Sequence, residues 1–597
     1  MATVWQIRER ARRRLQAERG ETVRQPAARL QIALGFPNTY FVGMSNLGFQ
    51  AIYRFINRLP ERRCERFFLP DREERDIFRR QPGLKLFTLE SQRPVRDFDL
   101  IAFSVSFEND YIHLLELLEL AGLPLLAAER DPSHPLVLVG GAVTFINPEP
   151  LADFADVIAI GEGEPILPDY LSLLEADRGR PRRDHLERAA GLPGIYVPSL
   201  VQPAGPAPAG SLGQAPLPPG AIPKHTLPDL SASVAYSSIL TSETEFADTL
   251  LVEVSRGCPL RCRFCTVSYT YPKFRTVPPE LVVELVARMR ERDLRRGLPA
   301  VSRVGLVSSD ISDVPGLGLM CRGLVDLGVE LGVSSVRIDR LPPELLEALS
   351  EGGVQSLAVA PEAGSERLRQ VIRKPMTTQT LLDGADQVLE RGVQNLKLYF
   401  ILGLPTETDA DVDAIVELTL LLRERAMAVW RRRGHAGKIV LSINPFVPKP
   451  LTPFQWSRME PQPVVEAKLR RIRRALRQVG NVEVKEKSVR HGYLEAILSN
   501  GDRRISAFLL QLHRDGGRLT QKARALSADL EQKLFGERPL DQELPWDFIV
   551  DAADRARLRR EYQRSMAKTG TGPEFPLGSA GAQGGRKIRS QSPFSPG

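Results

Sequence analysis

Short apolar runs that end in glycine or small residues alternate with helix-period segments along most of this chain. That alternation restricts it to a parallel α/β architecture. Between residues 30 and 195, QIALGF (31–36), DLIAFSVSF (99–107), PLVLVGG (135–141) and DVIAIGEGE (156–164) read as buried strands. GFQAIYRFINRL (48–59) and YIHLLELLELAGL (111–123) carry helical spacing between them. A Rossmann-like domain is expected, with ligands at the carboxyl ends of its strands. Further along, LLVEVS (250–255), RVGLV (303–307), SSVRID (334–339), SLAVA (356–360), NLKLYFIL (395–402) and IVLSIN (439–444) read as six more strands. Helix starts are marked by proline in the first turn of TVPPELVVELVARM (276–289) and by Thr408 with Asp411 three residues on. Such units suit a complete or partial (β/α)6-type barrel.

A chain of 597 residues is long enough for two to four domains. The α/β reading divides it into a helical extension (1–29), the Rossmann-like domain (30–195), a linker (196–244), the barrel (245–455), a helical basic region (456–565) and a disordered tail (566–597). The linker contains QPAGPAPAGSLGQAPLPPGAIP (202–223), which can bury little, and the tail lacks periodicity. In the basic region, LRRIRRALRQV (469–479) puts Leu469, Ile472, Leu476 and Val479 on one face. Lys and Arg total 81 against 73 Asp and Glu, a net +8 too mild to announce nucleic-acid binding. Five cysteines and seven histidines exclude a disulfide-stapled scaffold or a multi-zinc array. The first residues lack an apolar signal core, and LLELLELAGLPLLAA (114–128) carries glutamates and is too short to span a bilayer. A cytoplasmic protein without a membrane span is expected.

Three cysteines fall within eight residues, Cys258-Pro-Leu-Arg-Cys262-Arg-Phe-Cys265, after the strand LLVEVS and the turn Arg256-Gly257. A structural zinc needs a fourth protein ligand, and no Cys or His lies near in sequence. A c-type haem needs His where Thr266 stands, and a four-cysteine ferredoxin run is absent. Three thiolates leave one iron of a four-iron cluster open. The spacing CxxxCxxC, with Phe264 before the last cysteine, resembles the radical S-adenosylmethionine (SAM) superfamily. The resemblance implies that Cys258, Cys262 and Cys265 hold a catalytic [4Fe–4S] cluster that reductively cleaves SAM to a 5′-deoxyadenosyl radical. It also implies cofactor contacts in order along the barrel. Ser308, Ser309 and Asp310 would hold the methionine amino group. Ser335 and Arg337 would reach the ribose and carboxylate, and Glu362 in APEAGSERLRQVIRKP (360–375) the ribose hydroxyls. Gly403 belongs to the turn beside adenine.

An upstream Rossmann-like domain makes the whole similar to the cobalamin-binding radical SAM proteins, in an uncharacterised branch. FPNTYFVGMSNLGFQAIYRFIN (36–57) and VLVGGAVTFINPEPLADFADVIAIGEGE (137–164) carry that likeness. Modules that ligate cobalt with imidazole read D-x-H-x-x-G after the first strand; here Asn38, Tyr40 and Gly43 occupy that pattern, with tyrosine in place of histidine. Ser104, Ser106, Gly140 and Gly141 sit at strand ends where a cobalamin tail would thread, or are close-packed turns of an open sheet. Two readings stand: cobalamin bound without histidine on cobalt, or a domain without cobalamin.

The resemblance implies a cobalamin-dependent methyltransferase acting on an unactivated carbon. The alternatives are a radical SAM rearrangement or cyclisation with the first domain as scaffold, or a non-enzymatic redox or sensor protein bearing a cluster. A flavodoxin- or ferredoxin-type electron donor is implied; the substrate is not readable. Cys64 and Cys321 are isolated and read as structural thiols, and His113 and His134 as satisfied histidines. YTYPKFR (269–275) reads equally as a SAM or substrate contact and as loop packing. INPFVPKPLTPFQW (443–456) is placed beside a substrate in the lower barrel. The arginines at 469–477 and 555–564 read as solvated faces, with RNA contact the minor reading.

Overall fold

The computed structural model describes residues 3–20, 27–81, 83–201, 221–271, 273–333, 336–341, 343–351, 353–434, 436–536 and 538–567. Most of the Pro/Gly/Ala-rich stretch and of the tail, both expected to lack structure, lie outside the described residues, as does Ser335.

Six strands build the first domain: β1 (Leu30–Phe36), β2 (Arg62–Phe68), β3 (Leu100–Ser104), β4 (Leu136–Gly140), β5 (Val157–Ala159) and β6 (Ile195–Tyr196). They lie in the order β2-β1-β3-β4-β5-β6, parallel except for β6. The first five follow the flavodoxin-like order, whose switch point falls between β1 and β3, where such sheets bind ligands. Both faces are covered by helices, so β1, β3, β4 and β5 are nearly continuous apolar runs. β2 departs from this pattern. Its sequence, RRCERFF, buries Glu65 and Arg66, and Arg66 is fully enclosed between Glu18 and Glu90, each 2.7 Å away. An edge strand with paired internal charges escapes a search for apolar runs.

The second domain is an open barrel. β7 (Thr249–Glu253), β8 (Arg303–Val307) and β9 (Glu330–Val333) form one parallel sheet, in the order β9-β8-β7. β10 (Ser356–Glu362), β11 (Asn395–Leu402), β12 (Ile439–Pro445) and β13 (Val482–Glu486) form another. A parallel bridge between Val336 and Val359 joins them. Along β11, Leu396, Leu398, Phe400 and Leu402 are buried against the helices, whereas Tyr399 and Ile401 line the lumen.

One expectation shifts here. The regular strand lies at Glu330–Val333, and of the stretch expected at 334–339, Val336 donates to the Ala358 carbonyl of β10 at 3.1 Å while the Arg337 N–H goes to Ser312 Oγ at 2.9 Å. The region from 456 is mostly helical, as expected, with one strand within it. Helix Gln462–Leu476 buries Leu469, Ile472 and Leu476 on the barrel and leads into β13, which pairs with β12. The capping box at Thr408 forms as read, opening helix Asp409–Arg433. Among the described residues, no helix is long and apolar enough to cross a membrane.

The later helices join the two domains. Asn147 donates to the carbonyls of Ser499 and Gly501, at 3.0 and 2.8 Å, and Arg503 pairs with Asp153 at 2.5 Å. The carboxyl ends of both sheets face one another. Glu108, beyond β3, pairs with Lys449, beyond β12, at 2.5 Å, and Phe145 meets Tyr271 edge-on at 5.8 Å. Glu162, beyond β5, holds Arg256 at 3.0 Å and Arg275 at 2.6 Å, and Glu164 also holds Arg256, at 3.0 Å.

Burial alone would raise the Glu162 carboxyl, but the hydrogen bonds and charge of Arg275 and the charge of Arg256 outweigh it and lower its pKa. Its contribution is therefore present above the unfolded carboxylate range and is lost as pH falls through the lower folded value. Glu162→Ala leaves two buried guanidinium groups without their shared carboxylate. It should cost about 3–5 kcal/mol, read by denaturant unfolding at neutral pH, with the gap from the parent narrowing below about pH 4.

Candidate functional site

β7 runs into Ser255-Arg256, which pairs antiparallel with Arg275-Thr276 and closes a loop that carries all three clustered cysteines. Gly257 has φ +88°, and a Cβ there would stand 2.6 Å from the Lys273 carbonyl, so only glycine fits this close crossing. Cys262 is buried; Cys258 and Cys265 are half-buried, and none is in a disulfide. The loop has two faces. Phe264 turns into the barrel lumen, whereas Arg263 turns outward to the Val371 carbonyl at 2.7 Å and to Glu561 at 3.3 Å.

Burial pushes the Cys262 thiol up to about 12, with Lys374 opposing the rise. Cys265 is pushed up to about 11 by burial, against the backbone N–H of Val267. Cys258 is also raised by burial, opposed by the N–H of Leu260. Cys258 and Cys265 add to the rise at Cys262, which places the three thiols within electrostatic reach of one another. Among the described residues, no three His, Cys, Asp or Glu side chains form a single-ion site. A four-iron cluster needs no such convergence, since each thiolate binds a different iron. Three thiols on one loop fit such a cluster.

Several of the expected cofactor contacts gather around this loop. Asp310 is buried, and burial, followed by the charge of Asp313 and a hydrogen bond with its carboxyl, raises it to about 7. It also acts on the Cys258 thiol. Ser308 is buried and shares a 2.5 Å hydrogen bond with Ser255, while Ser309 is exposed. Glu362 adopts φ +67° at the end of β10 and pairs with Lys374 at 3.1 Å. Lys374 faces Cys262 and Cys265 and was not singled out in the sequence; its signal was the Arg373-Lys374-Pro375 end of the segment that carries Glu362. Arg337 is turned onto Asp339, with Nε 3.0 Å from the carboxylate, and contributes charge to the Asp310 neighbourhood. Gly403, at φ +83°, donates to Glu407 at 2.9 Å and forms the turn beyond β11. Beside this constellation lies a lumen cavity of about 560 Å³, lined by Phe264, Glu362, Tyr399, Asn444, Lys449 and Glu495 among others.

In the first domain, Asn38 donates to Asp110 at 2.8 Å, and Asn46 donates to Ser106 at 3.0 Å; both bonds bridge the ends of β1 and β3. His113 Nδ1 lies 3.1 Å from the Pro37 carbonyl. Ser104 is half-buried at the end of β3, and Phe107 beyond it is 56% exposed. Gly140 leaves ordinary space, with the nearest atom to an added Cβ 3.6 Å away, whereas Gly141 is closed by the Val105 carbonyl at 2.4 Å. Gly43 is likewise closed, by the Phe68 ring at 2.5 Å. Tyr40 is buried: it donates to Glu18 at 2.7 Å and packs edge-on against Phe68. Its phenol is therefore committed to Glu18, just beyond helix Val4–Ala17. Cys64 and Cys321 are buried away from the loop.

A family profile described as "Radical SAM superfamily" matches residues 252–419, and one described as "Radical SAM proteins, N-terminal" matches residues 48–198. The chain belongs to the radical SAM superfamily. It is 26% identical to an uncharacterised protein of Methanocaldococcus jannaschii, over 80% of this chain and 90% of that one. It is 24% identical to the cytidylyl-2-hydroxyethylphosphonate methyltransferase of Streptomyces wedmorensis, over 51% of this chain and 58% of that one. Among solved structures, the cobalamin-dependent SAM radical enzyme OxsB with aqua-cobalamin and SAM bound is similar. It shows 13% identity and a TM-score of 0.47 over 90% of this chain and 79% of that one.

The raised thiols make alkylation of the metal-free radical SAM chain slow at pH 8 and faster with rising pH. Lys374→Met removes the cation beside Cys262, so Cys262 should label severalfold more slowly at fixed pH while Cys258 is unchanged. Peptide mapping by mass spectrometry after timed iodoacetamide treatment reads both rates.

Proposed function

We propose that Cys258, Cys262 and Cys265 hold a [4Fe–4S] cluster with one open iron, and that the protein is a cobalamin-dependent methyltransferase acting on an unactivated carbon. The observation that carries the cluster is the loop itself: three thiols gathered at the carboxyl end of β7 and beside a lumen cavity. When bound, the reduced cluster supplies the electron that cleaves the SAM sulfonium. The chain's own residues suit the zwitterionic end of SAM. Asp310, buried beside Asp313, accepts the ammonium group; Lys374 answers the carboxylate, and Glu362, released from Lys374, reaches the ribose. The lumen cavity falls within the size range of small-molecule sites, about 300–1,000 Å³.

Support for methyl transfer comes from the Streptomyces relative and from the crevice between the facing sheets. Cobalamin supplies a transferable methyl group when bound. The residues that fit it are Ser104, Gly140 and the exposed ring of Phe107, at the flavodoxin-type switch point. The stretch 36–57 that carries Tyr40 has no histidine to offer it. A second reading, rearrangement with the first domain as scaffold, is favoured by the bonds Asn38–Asp110 and Asn46–Ser106, which close the switch point with the protein's own groups. Comparing metabolites of a deletion strain and its parent identifies the substrate.

Cys262→Ala should lose the reconstituted iron and reduce 5′-deoxyadenosine formation more than 100-fold, while Cys64→Ala keeps both; iron analysis and chromatography of the products check this. With substrate, S-adenosylhomocysteine and 5′-deoxyadenosine should form in near-equal amounts. 5′-Deoxyadenosine alone would select rearrangement.

Cobalamin binding should survive Tyr40→Phe, because that phenol faces Glu18. Electron paramagnetic resonance of the Co(II) form should lack nitrogen superhyperfine splitting. Splitting that vanishes with His113→Ala would overturn the histidine-free site.

A further inference from the structure

The outer face of the cysteine loop is strongly basic, and one carboxylate organises it. Glu561, on helix Ala552–Ala567, receives Arg263 at 3.3 Å, Arg373 at 3.4 Å and Arg564 at 2.8 Å. Arg263 comes from between Cys262 and Cys265, and Arg373 precedes Lys374, so this carboxylate ties together the two segments that border the cysteines. Arg261 stands between Cys258 and Cys262. Its backbone is held by the Tyr269 hydroxyl at 2.9 Å, while its side chain is exposed and has no partner among the described residues. Arg373 is 44% and Arg564 69% exposed, and Arg560 beside them is also exposed. One buried carboxylate thus faces several guanidinium groups, and the excess positive charge lies on solvent directly outside the cysteine loop.

The lumen face of the same loop carries Phe264 and the cavity. A partner on the outer face therefore approaches the cysteines without entering the substrate side. We propose that this face, formed by Arg261, Arg373 and Arg564 over the C-terminal helix, is the docking surface for an acidic one-electron carrier protein. The proposal rests on the cluster reading above. The electron balance is simple: the reduced carrier gives up one electron and the cluster takes it up, with no bond made or broken in the docking step. Charge complementarity of this kind sets the encounter rate and is screened by salt. Exposed arginines leave the carrier free to depart after transfer, because pairs at a solvated rim are individually weak.

The test uses the full chain and a flavodoxin as the acidic carrier. Binding of oxidised flavodoxin to the metal-free protein is followed by fluorescence anisotropy across a salt series. Arg564→Glu should weaken it at least tenfold and flatten its salt dependence, and Arg261→Glu should do the same. Arg470→Glu, at a 64% exposed site on helix Gln462–Leu476, should leave binding unchanged. In the reconstituted protein, reduction by reduced flavodoxin should slow by a similar factor in Arg564→Glu, whereas reduction by dithionite should not. Equal binding by parent and charge-reversed proteins would overturn the proposal. So would loss of RNA-oligonucleotide binding in those variants with flavodoxin binding retained. A chain that binds flavodoxin as described but takes up no reducible iron would contradict the cluster reading and leave the docking surface standing.

Discussion

The carboxylate of Glu162, enclosed between Arg256 and Arg275, is the interaction on which the working geometry depends. Arg256 lies two residues before Cys258, and Arg275 closes the cysteine loop from the other side. A residue at the carboxyl end of the first domain's sheet therefore fixes both ends of a loop in the second. Removing this carboxylate strands the buried Arg275, while Arg256 keeps Glu164 and Glu253; a stranded buried charge costs far more than a surface pair is worth. The same loop is held from two further directions. The Arg263 N–H bonds to the Ile372 carbonyl at 3.0 Å, and the Arg263 side chain reaches Glu561. A loop clamped by the first domain, the turn after β10 and the C-terminal helix keeps its thiols in place before any metal arrives, which is how supporting contacts sharpen a metal site.

Buried charges gather within that frame: Asp310 lies against the carboxyl of Asp313, and Lys374 is buried with the Glu362 carboxylate and two thiols about it. In the first domain, Asn38 bonds to Asp110 and Asn46 to Ser106 across the switch point, while the second carboxyl oxygen of Asp110 is buried without a hydrogen bond.

Much of this was legible in the chain because the relevant features are local. Cysteine spacing, the capping box at Thr408 and the apolar strands β1, β3, β4 and β11 each depend on neighbouring residues. What escaped depends on distant partners. RRCERFF forms β2 because Glu18 and Glu90 neutralise Arg66, and VEVKE forms β13 because it lies at the barrel's edge, where alternating charge suits solvent. Lys374 gains its meaning only from the fold that sets it beside Cys262. Tyr40 was read as standing where a ligand would be, yet its hydroxyl goes to a glutamate 22 residues earlier, on the segment after the first helix. A residue's place in a motif gives its position along the backbone; where its side chain is satisfied is decided by packing.

The central claim is that three protein thiolates hold a four-iron cluster and leave one iron for SAM. Mössbauer spectroscopy of the protein reconstituted with ⁵⁷Fe, with and without SAM, tests it most directly. The account predicts a cuboidal [4Fe–4S] spectrum in which one iron in four shifts on adding SAM, while the remaining three are unchanged. A spectrum indifferent to SAM, or iron bound without cluster formation, would contradict it.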